Sequence, residues 1–396
     1  METWRLPRGF RYAGIHCGIR PDSDRLDLAL VVSDVPASAA GVFTQNRVCA
    51  APVQISNKRL PRGDARAIVI CSGNANACTG KQGLADALRM TEKTAFALSC
   101  KPEQVLVCST GVIGRPLPMD KIEPGIDRAG QALAADAAAL DKAAHAILTT
   151  DTRIKVSTRQ IKIGANEYHL AGFAKGAAMI GPNMATLLAF VLTDASIAPA
   201  DLDSAATRAA ARSFNCISVE GHTSTNDSLI FMANGSGPHL IEDGLARFEE
   251  AAVSVCTDLA REIAGDAEGG SHLITLEVEG LRTELEAKLV AKTVADSPLV
   301  KTAFFGADPN WGRIVSAVGY SGVIFEEGDL SLYIGPHLLY DRGAPKACDL
   351  NIVSDYMKKN RELKVRIVFG LGTARCTFYT CDLTYDYVRI NAEYTT

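Results

Sequence analysis

Several features that mark membrane, secreted and nucleic-acid-binding proteins are missing from this chain. No apolar run approaches the ~20 residues that a membrane-spanning helix needs, and the first residues lack the apolar stretch of a signal peptide. Lys and Arg number 41 against 45 Asp and Glu, a net charge of −4. This balance gives no broad basic surface for nucleic acid or for an anionic membrane. We therefore expect a cytoplasmic protein that binds neither nucleic acid nor membranes.

Motifs typical of metal and nucleotide chemistry are also missing. The chain has no His-Glu-x-x-His, Cys-x-x-Cys, Walker loop or Gly-x-Ser-x-Gly. Its 7 histidines are dispersed, and we expect His145 and His272 to be packed or solvated rather than to bind a metal. Its 11 cysteines are an odd number and lie mostly in apolar stretches, which favours reduced, buried thiols. We therefore expect no metal and no bound cofactor.

What the chain does contain is an alternation of strand-like and helix-like segments. With 396 residues, 47% hydrophobic and 22% charged, the composition is that of a globular protein of two domains or one large one. Short β-branched runs predict strands at 27–33, 66–71, 104–108, 228–233, 272–279 and 364–369. Helices are predicted at 83–99, at 125–148 and after Asp243, with Asp243 as N-cap. The pattern indicates a mixed α/β fold, and no linker marks a domain boundary except a weak candidate at 280–283.

One glycine-rich segment begins like a dinucleotide-binding fingerprint. Residues 369–375 read Phe-Gly-Leu-Gly-Thr-Ala-Arg, but the third glycine is missing. A strand-like stretch follows, whereas the fingerprint needs a helix whose N-terminus faces the pyrophosphate. We therefore predict a tight hairpin here rather than a nucleotide site.

Three other segments concentrate Gly, Thr, Ser and Asn beside apolar runs, at residues 108–114, 174–192 and 218–228. Each can be an ordinary strand end, loop or solvated turn. The first can instead supply backbone N–H donors to an oxyanion. In the second, a flexible loop precedes Thr186 at the start of a strand, which suits an N-terminal nucleophile whose own α-amine serves as base. The reference pKa of that amine is ~8, and a nearby cation such as Lys175 would lower it further.

Taken together and in order, these segments resemble the ornithine acetyltransferase (glutamate N-acetyltransferase) family of arginine biosynthesis. The resemblance covers nearly the whole chain. The matching motifs lie at residues 72–80, 109–114, 148–152, 175–186, 223–227, 308–313 and 391–396.

The resemblance implies a self-processing enzyme. The precursor would be cut between Ala185 and Thr186, giving chains of residues 1–185 and 186–396. The freed Thr186 would take acetyl from N-acetylornithine as an ester and pass it to glutamate, which is ping-pong covalent catalysis. Whether acetyl-CoA also serves as a donor stays open. The family also implies a heterotetramer of two processed heterodimers.

The resemblance further implies the fold and the site residues. The fold is a layered α-β-β-α sandwich with an N-terminal-nucleophile-like active site and a smaller α/β lobe from about residue 281. The oxyanion hole is formed by Thr110 and Gly111. The residues that contact substrate are Thr149, Lys175, Thr186, Glu268, Asn391 and Thr396.

Some positions depart from the family pattern. The usual loop is closer to Lys-Gly-Ser-Gly-Met-Ile-Ala-Pro-Asn, whereas this chain has Ala177, Ala178 and Gly181, and it has His222 where an Asp is common. Substrate preference is therefore open, and a paralogue that acts on a related acyl amino acid is one alternative. An aminopeptidase or amidase that gives the acyl group to water is a second, and a binding protein that retains the fold is a third.

Overall fold

The computed structural model describes residues 4–20, 24–164, 166–181, 187–237, 239–240 and 242–393. The strands formed by these residues are, in chain order, β1 Phe10–Ile15, β2 Leu28–Phe43, β3 Arg62–Asn74, β4 Val105–Val112, β5 Lys155–Ile163, β6 Asn166–Lys175, β7 Leu188–Thr193, β8 Ile217–Ser218, β9 Ser228–Ala233, β10 Leu273–Leu281, β11 Leu330–Ile334, β12 His337–Asp341, β13 Ala344–Pro345, β14 Glu362–Phe369 and β15 Ala374–Cys381.

The α-helices of the described residues are α1 Ala51–Arg59, α2 Gly80–Leu98, α3 Met119–Gln131, α4 Ala137–Ala146, α5 Pro199–Arg212, α6 Asp243–Gly265, α7 Glu284–Asp296, α8 Pro298–Phe305, α9 Trp311–Gly319, α10 Leu350–Lys359 and α11 Tyr385–Glu393. Within the described ranges, none of these helices has the length and apolar character needed to cross a membrane.

The first sheet has the strand order β4-β3-β2-β9-β7-β6-β5, and β1 also pairs with β2. Strand β2, with 16 residues, is long enough to pair with different strands along its length. Its first half pairs with β1 and β3, and its second half pairs with β9 and, at Ala37 and Ala39, with β3. The register with β3 shifts between Val32 and Ala37 and again between Ala37 and Ala39. The sheet is therefore one hydrogen-bonded unit with two halves joined through β2.

The two halves stack face to face, as the alternation of buried residues shows. Ile68 and Ile70 of β3 belong to one buried cluster with Phe173 of β6 and Phe190 of β7, whose rings lie 5.0 Å apart. Residues that alternate with these in sequence pack outward, against α2 and α3 on one side and against α5 and α6 on the other. Because side chains point to opposite faces along a strand, the layer order is α-β-β-α, which confirms the expected sandwich.

The second sheet has the order β13-β12-β11-β14-β10-β15-β8 and forms the smaller α/β lobe. One face is buried beneath α7, α8, α9 and α10, with alternate residues of β10, β11 and β14 in its core. The other face carries ion pairs between adjacent parallel strands, with 2.7 Å between Lys364 and Glu277 and 2.7 Å between Arg366 and Glu279. The lobe therefore has the hydrophobic and polar faces of a two-layer structure.

The predicted hairpin at 369–375 is wrong. Strand β14 runs parallel to β10, and β15 runs antiparallel to β10 on its other side, so the two strands joined by this segment are not neighbours. The connection crosses the end of β10, where the Leu371 and Gly372 amides donate to the Gly280 carbonyl at 2.9 and 2.8 Å. At Gly372 a Cβ would lie 2.4 Å from the Leu281 carbonyl oxygen, so glycine is needed for this close crossing.

Two helix predictions also need correction. The Ala-rich segment 125–148 is not one helix, because α3 ends at Gln131 and Asp136 starts α4 by accepting the Ala139 amide at 2.8 Å. The helix after Asp243 is confirmed, but Asp243 is its first residue rather than its N-cap. In the first turn its carboxylate still complements the positive end of the helix dipole.

Candidate active site

The candidate site lies where strand ends of the first sheet meet. Lys175 is the last residue of β6, and Thr110 lies near the end of β4. Both side chains are buried, and Lys175 Nζ donates to Thr110 Oγ1 at 3.5 Å. Two of the residues expected in the site are thus brought together from positions far apart in the sequence.

A buried carboxylate, Asp151, holds this end of β6 in place. It accepts the amide of Gly176 at 2.6 Å, the Nζ of Lys155 at 2.7 Å and the amide of Thr149 at 3.1 Å. The Nζ of Lys175 lies 4.0 Å from its Oδ2. Thr149 therefore joins the site through Asp151.

The same charge network reaches the end of helix α6. Lys155 Nζ also donates to Asp266 Oδ2 at 2.7 Å, and Asp266 accepts the Thr152 amide at 3.1 Å. Lys155 is buried between the two carboxylates. The network ties the loop before β5 to the segment that follows α6, which contains Glu268.

Burial and these charges shift the pKa values of the central pair. Burial lowers the pKa of the Lys175 ammonium and Lys155 lowers it further, while the negative charge of Asp151 opposes the change. Burial alone would raise the pKa of Asp151, but the charges of Lys175 and Lys155 and the bonds from Lys155 and the Gly176 amide outweigh it. The pKa of Asp151 is held well below its ordinary range.

Thr110 and Gly111 lie within the last residues of β4, where they pair with β3 and do not form a turn. Gly111 has φ +130°, and a Cβ there would lie 2.3 Å from the carbonyl carbon of Gly73. Asn226 braces this end of β4, because its Nδ2 donates to the carbonyls of Ser109 at 2.9 Å and Ala75 at 2.6 Å. The backbone at Gly111 therefore has a conformation that only glycine fits.

Glu268 and Asn391 form a second pair beside the first. Asn391 Nδ2 donates to Glu268 Oε2 at 3.3 Å, and the Glu268 amide donates to the Ala177 carbonyl at 2.9 Å. Ala177 follows Lys175 by two residues, so the two pairs share one loop. Burial, with the nearby charges of Glu220 and Glu268, raises the pKa of Tyr387 to about 12.

Two further carboxyl groups hold the backbone on either side of residues 182–186. Glu220 Oε1 accepts the amide of Ile180, and Asp227 Oδ1 accepts the amide of Leu187 at 3.0 Å. In each group the other oxygen is buried and has no hydrogen-bond partner among the residues that the structure describes. Burial raises the pKa of Asp227 well above its ordinary value, and burial followed by the charge of Glu268 raises that of Glu220 to about 8.

Glu220→Gln is expected to change how stability depends on pH. The folded pKa of about 8 lies above the ordinary 4.5, so the contribution of Glu220 is complete below the unfolded pKa and is lost as pH rises through about 8. We expect the stability of the variant to exceed that of wild type by on the order of 2 kcal/mol at pH 9, because Gln stays neutral whereas Glu220 must ionise where burial opposes its charge. At pH 5 the two should unfold alike, as measured by urea or heat.

The exposed Glu250→Gln is the matched control for this pH experiment, since Glu250 lies on the outer face of α6. Its stability curve should follow wild type at every pH. Parallel curves for Glu220→Gln and wild type between pH 5 and 9 would contradict the assignment of this titration to Glu220.

Three of the expected site residues, Ala185, Thr186 and Thr396, lie outside the described residues. The sequence reasoning did not single out four of the groups that organise the site, namely Asp151, Lys155, Glu220 and Asp227. Asp151 and Asp227 lie within motifs that the family resemblance used, and Glu220 lies in the polar segment 218–228, so these positions were the available signal. Lys155 lies in neither. Reading residues 218–228 as a solvated turn is wrong for 224–227, which are buried.

One departure from the family pattern has a structural reason. Gly181 approaches the backbone of the neighbouring loop so closely that a Cβ there would lie 2.5 Å from the carbonyl carbon of Gly221. The alanine that is usual at this position would require one of the two loops to shift. His222, in contrast, is exposed beside this contact.

The two histidines considered at the outset have structural partners. His272 Nδ1 lies 2.9 Å from Asp382 Oδ2, and its Nε2 lies 3.3 Å from the Met357 carbonyl, so both ring nitrogens are engaged. The exposed His145 contacts Asp141. Within the described ranges, no three His, Cys, Asp or Glu side chains are arranged to hold a metal ion.

Comparison with known proteins identifies the family. The ArgJ family model matches residues 11–396. The chain is 45% identical over 399 residues to the arginine biosynthesis bifunctional protein ArgJ of Caldanaerobacter subterraneus subsp. tengcongensis, covering 99% of this chain and 98% of that one. It is 46% identical over 393 residues to the ArgJ protein of Geobacter sulfurreducens, covering 98% and 99%.

A solved structure agrees with these matches. The crystal structure of the arginine biosynthesis bifunctional protein ArgJ from Bacillus halodurans superimposes with a TM-score of 0.50 at 40% identity, covering 52% of this chain and 98% of that one. The family model and the two relatives match nearly the whole sequence, and they confirm the resemblance drawn from the motifs. The chain belongs to the ArgJ family of arginine biosynthesis.

Proposed function

We propose that this protein transfers acetyl from N-acetylornithine to glutamate through an acetyl ester on Thr186. The observation that carries the proposal is the buried contact of Lys175 with Thr110 and Asp151, at the strand end that leads into residues 182–186. This contact supports the proposal because it joins a cation to the end of β4 that carries Thr110 and Gly111, and Lys175 ends the strand that precedes the segment with Thr186.

The nucleophile would be exposed by self-cleavage before Thr186. The hydroxyl attacks the carbonyl of Ala185, the peptide C–N bond breaks as the C–O bond forms, and one water then hydrolyses the ester. The Bacillus halodurans ArgJ chain supports this step, because it is matched over 98% of its length yet spans 52% of this chain. A solved chain of about half the length is what a cut near the middle of the sequence would give.

Acetyl transfer would then use the same hydroxyl twice. Its proton passes to the α-amine of Thr186, its oxygen bonds to the acetyl carbonyl, and ornithine leaves with a proton on its amine. Glutamate reverses these steps and departs as N-acetylglutamate. Thr110 and Gly111 would stabilise the oxyanion at each stage.

The remaining site residues would bind the two ends of the substrate. Lys175 and Thr149 suit the carboxylate of an acetylated amino acid, since a buried ammonium forms a strong charge-assisted bond with it. Glu268, oriented by Asn391, offers a counter-charge to the side-chain ammonium of ornithine. Thr396 would also contact the substrate. These residues suit an amino-acid donor, and the use of acetyl-CoA is a separate question for the assay below.

We propose a heterotetramer of two processed heterodimers in the cytoplasm. Helix α11 supports an assembly, because none of its residues is buried and Tyr385 and Val388 are 83% and 58% exposed. Exposed apolar side chains on a helix are often covered at protein interfaces.

The function is tested on freshly expressed protein with two measurements. Denaturing electrophoresis should show two chains, and incubation with N-acetylornithine and glutamate should yield N-acetylglutamate and ornithine. Release of acetate without acetylation of glutamate would instead identify an amidase. Adding acetyl-CoA in place of N-acetylornithine separates a bifunctional enzyme from a recycling one.

Gly111→Ala is expected to slow acetyl transfer by ~10²–10³-fold while the protein still folds, as for loss of one oxyanion donor. The added Cβ would meet the Gly73 carbonyl carbon at 2.3 Å and the Asn74 amide at 2.5 Å, so this end of β4 must move. The measurement is kcat with purified enzyme.

Gly114→Ala is the control, because Gly114 also has a positive φ, +81°, but its Cβ would meet nothing within 4 Å. It should retain near-normal kcat at a cost of ~1 kcal/mol in stability. Full activity in Gly111→Ala would show that Thr110 and Gly111 do not serve the reaction as an oxyanion hole.

A further inference from the structure

Lys175 and Glu268, the two charged residues assigned above to the ends of the substrate, are joined by a short backbone link. The Glu268 amide donates to the carbonyl of Ala177 at 2.9 Å, and Ala177 follows Lys175 by two residues. A single hydrogen bond lets the two segments pivot about it. This link alone therefore does not set the separation of the two charges.

The buried side chain of Lys155 closes this link into a ring. The Gly176 amide donates to Asp151 Oδ1 at 2.6 Å, and the same oxygen accepts Lys155 Nζ at 2.7 Å. Lys155 Nζ also donates to Asp266 Oδ2 at 2.7 Å, two residues before Glu268. Lys155 is 1% exposed, so water does not compete for these bonds. The two segments are therefore held together by a second link as well as by the first.

Both carboxylates of the ring are fixed by further donors. Asp151 Oδ2 accepts the Thr149 amide at 3.1 Å. Asp266 Oδ2 accepts the Thr152 amide at 3.1 Å, and its Oδ1 accepts the Thr152 hydroxyl. Neither carboxylate can turn away from Lys155 without breaking these bonds, so the ring is rigid.

The ammonium of Lys155 has no hydrogen left to offer to a substrate. Its remaining donor goes to the Arg153 carbonyl at 3.4 Å, in addition to the two carboxylates. Stability alone does not explain such a buried group of charges, because apolar side chains of similar volume often serve as well or better. Lys155 can therefore affect the reaction only through the residues that it holds.

We infer that Lys155 is a positioning residue that sets substrate specificity, because the ring it closes fixes the separation of the Lys175 ammonium from the Glu268 carboxylate. The substrate class is an Nα-acylated diamino acid of one chain length. Its carboxylate must reach Lys175 while its side-chain ammonium reaches Glu268. This inference rests on the proposed function and deepens it.

The ring should distinguish ornithine from lysine, which has one more methylene group. A site of fixed span has no room for the added length, because protein interiors are close-packed and yield little. One methylene group changes kcat/KM by ~10–200-fold in a well-fitted site. We expect wild type to prefer N-acetylornithine over Nα-acetyl-lysine as acetyl donor by a factor in this range.

The test is Lys155→Met, which has a side chain of similar length that can donate no hydrogen bond. Opening the ring lets the separation of the two charges vary, so the ratio of kcat/KM for N-acetylornithine to that for Nα-acetyl-lysine should fall by ~10-fold. Loss of folded enzyme lowers both kcat/KM values equally and leaves their ratio unchanged. The ratio therefore separates positioning from a general loss of stability.

Asp266→Ala is the second variant. It opens the ring from the other side and leaves Lys155 paired with Asp151 at 2.7 Å, so no isolated buried charge remains on Lys155. The same selectivity ratio should fall in this variant. It carries the test if Lys155→Met does not fold.

Asp194→Ala is the matched control. Asp194 is also a buried carboxylate, accepting the His169 amide at 2.8 Å and the Arg8 Nε at 3.0 Å. It follows β7 at the end opposite Leu188, which is the residue that pairs with Lys175. The control should lose stability and keep the wild-type selectivity ratio.

The outcomes separate the inference from the proposed function. A wild-type ratio in folded Lys155→Met and Asp266→Ala would overturn the inference and leave the function intact, and so would an equal fall of the ratio in Asp194→Ala. If wild type transfers no acetyl, the function fails and calorimetric binding decides the inference. A preference of wild type for N-acetylornithine that is lost in Lys155→Met would then support it, and equal dissociation constants for the two compounds in wild type would overturn it.

If neither variant folds, a structure of wild type with ornithine bound decides. The ligand should contact Lys175 through its carboxylate and Glu268 through its side-chain ammonium at the same time. Contact with only one of these residues would overturn the inference.

Discussion

Thr186→Ala is expected to yield a single uncut chain of 396 residues that transfers no acetyl. Alanine has no hydroxyl, so it can neither attack the preceding carbonyl nor hold the acetyl ester. Removal of a nucleophile from such a unit costs at least ~10⁴-fold in kcat. Electrophoresis under denaturing conditions measures the cut, and formation of N-acetylglutamate measures the transfer.

Thr186→Ser separates the two requirements. A serine hydroxyl can perform the same chemistry, so this variant should be cut and should retain part of the activity. Thr302→Ala, on the exposed side of α8, is the control for loss of a hydroxyl elsewhere and should behave as wild type. A Thr186→Ala protein that is cut and active would remove the proposed mechanism.

Asp151→Asn is expected to destabilise the protein by ~3–5 kcal/mol, the cost of breaking a buried ion pair on one side. The carboxylate lies between Lys155 at 2.7 Å and Lys175 at 4.0 Å, all three of them buried. In the variant both ammonium groups lose the negative charge of Asp151. Lys155 keeps its ion pair with Asp266. The measurement is the melting temperature and the free energy of unfolding at neutral pH.

The pH dependence gives this prediction a second check. Because the folded pKa of Asp151 is lowered, its contribution is present above the unfolded pKa of ~4 and is lost as pH falls below it. The gap between wild type and variant should therefore narrow in acid.

Glu262→Gln is the matched control for Asp151→Asn, because it breaks the nearby exposed pair with Arg153. This change should cost no more than ~1 kcal/mol. An equal loss of unfolding free energy in the two variants would show that the buried ion pairs of Asp151 stabilise the protein no more than an exposed pair does.

Local pattern was sufficient for much of the fold. Runs of β-branched residues located β3, β4, β9, β10 and β14. Strands β3, β4 and β9 have apolar side chains at consecutive positions because they are buried on both faces, whereas β10 and β14 bury one face only. The layered arrangement itself came from the family resemblance. No local pattern could have shown that one bent sheet supplies both inner layers through β2.

The order of the strands in the second sheet could not be predicted from local sequence patterns. Strands β14 and β15 are joined by a short glycine-rich link, and short links favour a hairpin. Strand β10, about a hundred residues earlier, occupies the place between them. The pairing of β10 with both strands is a tertiary preference that outweighs the local one.

The site shows the same division. The family resemblance predicted Thr110, Lys175, Glu268 and Asn391 as site residues, and these four lie in two adjoining pairs. The groups that hold them were not predictable from spacing. Lys155 reaches Asp266 across 111 residues. A polar turn is buried because Asn226 spans two strand ends, and nothing in its composition distinguishes it from a solvated loop.

The strand order of the first sheet has a consequence for the fate of the two chains. A cut before Thr186 would leave β2 and β6 on one chain and β7 and β9 on the other, with β9 against β2 and β7 against β6. The second chain is then inserted between two strands of the first. To exchange partners, it would have to break two full ladders of backbone hydrogen bonds at once, which amounts to unfolding the domain. The pair should therefore remain assembled at any dilution at which the protein stays folded.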